Sequence, residues 1–143
     1  MNEDTRKLLQ ECASGCKMAL DSMTQLEDKI EDKKFFELVQ SYKEKHKNLE
    51  IEAVKKLEYA GNEDKGPGVM ATTFSRVSTE MKLMMKGDDK QIAKVLMDGC
   101  NMGIQSVAKY QNEYQAADKE SLEIARKLVK LEEDLMQEMK AYL

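Results

Sequence analysis

The chain has 143 residues, with 23 Lys and Arg against 27 Asp and Glu, so its net charge is −4. One domain over 1–143 is expected, and a chain of this size buries about 70% of its unfolded surface without cross-links. The acidic balance excludes the basic footprint that nucleic-acid binding needs. The longest uncharged runs, 66–75 and 99–108, have 10 residues each, half of the ~20 apolar residues that span a membrane.

Pro67 is the only proline, tryptophan is absent, and Leu, Met, Ala, Lys, Glu and Gln dominate. These residues favour helix, so an all-α chain is expected. The first helix is predicted over about 3–29. There Leu9, Cys12, Cys16, Ala19, Met23, Leu26 and Ile30 recur at three- and four-residue steps and form one apolar stripe. The second is predicted over 32–59, with Phe35, Leu38, Tyr42, Leu49, Ala53 and Leu57 on its stripe. Gly61 is placed to end it, and loop composition follows through Gly68.

Residues 69–86, with Phe74, Val77, Met81, Met84 and Met85, read as a shorter helix that ends at Gly87. Asp88 or Asp89 is expected to cap the third long helix, over 88–115, with Ile92, Leu96, Cys100, Gly103, Val107, Tyr110 and Tyr114 inward. Asp118 is the expected N-cap of the last helix, over 118–142, whose stripe is Leu122, Ala125, Leu128, Leu131, Leu135, Met139 and Tyr142. The connection 61–87 is long enough to travel the ~40 Å of a 27-residue helix. An up-down-down-up four-helix bundle with one helical crossover is therefore expected.

That layout, together with Leu8-Leu9 through Cys12-Ala13-Ser14-Gly15, Met85-Lys86-Gly87-Asp88-Asp89 and Asp98-Gly99-Cys100, resembles a bacterial family of ferritin-like bundles of unknown function. The resemblance implies the ferritin-like fold over most of the chain. Active ferritin-like proteins carry glutamates on two helices and a Glu-x-x-His pair on each of the other two. Here His46 is the only histidine, Lys43 stands three residues before it, and no histidine follows Glu132 or Glu133. Di-iron chemistry is therefore not expected.

Counting ~1.5 Å per helical residue along such a bundle brings Cys16, His46, Cys100 and Glu132 to one level near the middle, with Cys12 one turn away. The leading reading of this set is a packed, inert layer with no cofactor, because cysteine packs as a small apolar residue. The alternative is a soft-metal site for Zn or Cu, or a redox-sensing thiol set, using Cys12, Cys16, His46, Cys100 and Glu132. The runs 27–34, 43–47 and 132–134 read as solvated faces. Gly99 and Gly103 read as a close helix approach facing a bulky group such as Phe74 or Tyr42.

Phe36, Val39, Ile51, Val54, Met97, Ile104 and Met136 fall off the stripes, and a second apolar strip usually meets another element. A homo-oligomer or a helical protein partner is expected, with no nucleic acid and no membrane. Three cysteines without a scaffold pattern, and no apolar leader after Met1-Asn2-Glu3-Asp4, point to the cytoplasm. The functional expectation is a non-catalytic bundle that acts through protein–protein contacts or self-association.

Overall fold

The computed structural model describes residues 1–59, 81 and 83–143. Among the described residues there are four long α-helices and no strand: α1 (Glu3–Leu26), α2 (Lys33–Tyr59), α3 (Asp89–Glu113) and α4 (Lys119–Met139). Single 3₁₀ turns, Glu27–Lys29 and Lys140–Tyr142, follow α1 and α4. No helix among the described residues is long and apolar enough to cross a membrane. The expected crossover helix, over 69–86, lies largely outside the described residues.

The helix starts have chemical causes. Asn2 accepts from the Thr5 backbone N–H at 2.8 Å, and Asp118 accepts from that of Ser121 at 2.9 Å. Each satisfies an orphan donor of a first turn. Asp32 does the same for Phe35 at 2.9 Å. At α3 the expectation needs correction. Asp88 stands at the cap position, but its carboxylate makes no capping bond and turns back to the Met85 N–H at 3.0 Å. Asp89 reaches across instead and accepts from the N–H groups of Glu31 and Asp32 at 3.0 and 2.8 Å. A residue of α3 thereby fixes the entry to α2. Gly87, at φ +96°, turns the chain there and donates to the Lys29 carbonyl at 3.0 Å. That backbone region is one where glycine carries no Cβ penalty.

These bonds define two ends. At one end the α1–α2 turn meets the start of α3, and Phe35 stacks on Tyr142 beyond α4 with ring centroids 4.6 Å apart. At the other, Asn2 donates to the Ala116 carbonyl at 2.7 Å and Thr5 Oγ1 accepts from the Asp118 N–H at 2.8 Å. Lys56, near the close of α2, pairs there with Asp118 and Glu120, each at 2.9 Å.

The core divides into two clusters stacked along the helices. Leu8, Leu9, Cys12, Cys16, Leu49 and Leu128 belong to one, and Met23, Leu26, Phe35, Met81, Ile92 and Leu135 to the other. The predicted stripes of α1 to α4 supply most of both. Of the off-stripe apolar residues, Val39 is fully buried, Val54, Met97, Ile104 and Met136 are half-buried, and only Phe36 and Ile51 count as exposed. The second apolar strip is thus largely absorbed by the bundle, because neighbouring helices wrap more than one face of each partner.

Candidate functional site

The lysines at 45 and 47 suggest a solvated helix face, yet His46 between them is fully buried. One α-helical residue between two lysines can face inward, since consecutive side chains are ~100° apart. The run 132–134 divides in the same way: Glu132 is buried while Glu133 and Asp134 are exposed. Both positions correct the solvated-face expectation.

His46 on α2 and Glu132 on α4 meet through Nε2 and Oε1. The other ring nitrogen, Nδ1, lies 2.6 Å from the Tyr42 carbonyl oxygen, one turn back on α2. A carbonyl can only accept, so Nδ1 carries a proton and donates. The titrating proton is therefore the one at Nε2, facing Glu132. Burial pushes the His46 pKa down, but the hydrogen bond and charge of Glu132, helped by the Tyr42 carbonyl, outweigh it and leave the pKa raised.

Tyr42 itself is held at its far end, where its hydroxyl donates to Glu138 of α4. Burial first, and then that bond to a carboxylate, raise its pKa. One residue of α2 thus orients the imidazole through its backbone and grips α4 through its side chain. No sequence signal distinguishes this role of Tyr42 from an ordinary stripe residue.

The thiols surround this pair unequally. Cys100 on α3 is buried within hydrogen-bond reach of Glu132. Cys16 on α1 lies close enough to sense the charge of Glu132 and of Glu50. Cys12 is a turn further along α1, beside Glu11. Burial is the main cause that pushes all three thiols up, Cys12 to about 12 and the other two well above the ordinary thiol value. All three are free. Of the five residues singled out from sequence, the structure joins His46, Glu132 and Cys100, sets Cys16 near them, and leaves Cys12 outside. Among the described residues, no group of three or more His, Cys, Asp and Glu stands in an arrangement that could hold a metal ion.

Gly103 has a different neighbour from the one expected. A Cβ there would stand 3.7 Å from Glu132 Oε2, so the glycine lies against the buried carboxylate. Tyr42 is committed elsewhere, to Glu138 and to the Lys45 ammonium 4.4 Å from its ring centroid. Phe74 lies outside the described residues.

Beside this layer runs a groove between α1 and α3. Small residues line it, Gly15, Ala19 and Ser22 from α1 with Gly99, Gly103 and Ser106 from α3, and Leu128 and Glu132 of α4 also contribute. Met81 reaches into it and is 1% exposed.

Chemically, the arrangement offers one proton-holding His–Glu pair and protonated thiols, closed in by apolar packing. Comparison with protein-family models, with curated proteins and with solved structures finds no match to this chain.

Proposed function

We propose that this chain is a ferritin-like, up-down-down-up four-helix bundle of the bacterial cytoplasm that acts without catalysis, through protein–protein contacts that include self-association. The end contacts support the topology. α2 closes beside the start of α4, whereas α3 opens beside the α1–α2 turn, so the close of α2 and the start of α3 stand at opposite ends of the bundle. Free, buried cysteines support a reducing compartment.

The observation that carries the reading of function is an apolar end. Phe36, Leu83, Met85 and Leu143 are 38%, 81%, 73% and 55% exposed, and all belong to segments that meet where Asp89 holds the α1–α2 turn. Scattered exposed apolar residues are ordinary, but several large ones gathered at one end favour a contact surface. Light scattering across a wide concentration range tests it. A mass of two or more chains agrees with the proposal, and a constant 16.4 kDa argues against it.

A second reading is a Zn or Cu site at the same mid-bundle layer. It is favoured by the contact of Cys100 and His46 with one carboxylate, and by the Nδ1–carbonyl bond, which in metal sites fixes the tautomer that ligates through Nε2. Elemental analysis of protein purified without chelator decides between the two.

A further inference from the structure

One residue of the α1–α2 turn holds both ends of a short stretch of chain. The Lys29 ammonium donates to the Met81 carbonyl at 2.9 Å, and the Lys29 carbonyl accepts from the Gly87 N–H at 3.0 Å. Between these anchors the described residues turn tightly. The Met84 N–H donates to the same Met81 carbonyl at 3.3 Å. Met85 and Asp88 are bonded twice: the Asp88 N–H donates to the Met85 carbonyl at 3.2 Å, and the Met85 N–H donates to the Asp88 carboxylate at 3.0 Å.

Burial alternates over this turn. Met81 is buried in the cluster of Met23 and Leu26, and the half-buried Met84 packs against that cluster. Leu83 and Met85 are exposed. A bonded backbone thus holds two large apolar side chains in water, where an unpinned loop would be free to turn them inward.

We propose that Lys29 is the positioning residue of the apolar end: its ammonium fixes the turn that presents Leu83 and Met85 to a second copy of this chain. The role rests on the self-association proposed above and names what orders its surface.

Charge favours a second copy as the partner. At this end exposed Lys33, Lys34 and Lys86 stand among exposed Glu31, Asp32 and Glu37. When two copies meet about a two-fold axis each patch faces its own image, so a patch that carries both signs supplies its own complement. Order favours Lys29 as the residue responsible. A turn that is ordered before contact loses less freedom on binding, so affinity rises without any new contact. In a two-fold pair that gain counts twice, once for each chain. The ammonium bond is charge-assisted, hence about twice as strong as a neutral one. It also ties the backbone at Met81 to the α1–α2 turn without touching Leu83 or Met85.

Sedimentation equilibrium of the native chain beside Lys29→Met and Lys43→Met tests the role. Each substitution removes one ammonium bond at the α1–α2 turn, that of Lys29 to Met81 or that of Lys43 to Glu27 at 2.7 Å. Lys29→Met should weaken association by about tenfold or more. Lys43→Met should weaken it by less than about twofold, because its bond does not hold the presented turn. A native chain that is monomeric at every concentration overturns the self-association reading, and this role with it. A native oligomer that Lys29→Met leaves equally tight, or that both variants weaken alike, overturns this role alone. Amide hydrogen exchange of the native chain, at a dilution where it is monomeric, needs no variant. The Met85 and Gly87 amides should exchange at least about tenfold more slowly than an open chain. Exchange of both at the open-chain rate overturns the role.

Discussion

His46 and Glu132 are separated by 86 positions in sequence and meet in the interior, the imidazole 0% and the carboxylate side chain 7% exposed. The pair is a buried polar contact between α2 and α4, and Cys100 of α3 lies near enough to the same carboxylate for it to push the thiol pKa up. Burial makes each partner dependent on the other. A charge taken from water costs several kcal/mol unless it is paired.

Removing one partner is therefore expected to cost more than removing both. Glu132→Leu should lower unfolding free energy by about 3–5 kcal/mol, because His46 is left without its acceptor. His46→Leu combined with Glu132→Leu should recover part of that loss, with a coupling of about 1–3 kcal/mol. Urea unfolding of the four proteins of the cycle measures it, and additive losses would contradict the pairing.

Proton linkage gives the pair a pH signature. The folded pKa of His46 lies above its ordinary 6.5. Its contribution to stability is thus fully present below 6.5 and is lost as pH rises through the folded pKa. The melting temperature of the native protein should fall relative to that of His46→Gln as pH is raised from about 6 to about 9. Parallel curves for the two proteins would count against the assignment.

At the α1–α2 turn, Asp89 satisfies two backbone donors of the residues that lead into α2. Asp89→Ala should destabilise by about 1–2 kcal/mol, the range of a lost cap. The urea midpoint should move without a change in slope. An unchanged midpoint would show that water replaces the carboxylate at no cost.

The thiols should be inert in the native state. With Cys12 pushed to about 12, only about one molecule in ten thousand carries its thiolate at pH 8. Thiol titration of the native protein beside Cys12→Ala, Cys16→Ala and Cys100→Ala should be slow in every case and complete only on unfolding. Rapid labelling of Cys16 or Cys100 in the native protein would reverse the packing account and promote the metal or redox reading.

Much of the helical frame is legible in sequence because periodic burial is a local signal. Leu9, Cys12, Cys16, Met23 and Leu26 announce the inner face of α1, and Asp118 announces the start of α4. The two charged residues at the centre of the bundle are harder to read. Glu132 stands in a Glu-Glu-Asp run, and a rotation of ~100° separates the buried member from its exposed neighbours. Counting residues along the axis does bring it level with His46, Cys16 and Cys100. That arithmetic fixes height but not rotation, and it sets Cys12 one turn from Cys16, on the same face of α1. Asp89 illustrates the other gap. Its carboxylate accepts from N–H groups 57 and 58 positions away, and no local pattern encodes a bond of that span.

The proposed association through the apolar end is tested most directly by sedimentation velocity of the native protein beside the Leu83→Asp, Met85→Asp double variant. Both side chains are exposed, so the variant should keep the fold. The account predicts an oligomer for the native chain and a shift to the 16.4 kDa monomer for the variant, with unchanged helix content. A native chain that sediments as a monomer at every concentration, or a variant that associates as the native chain does, would contradict it.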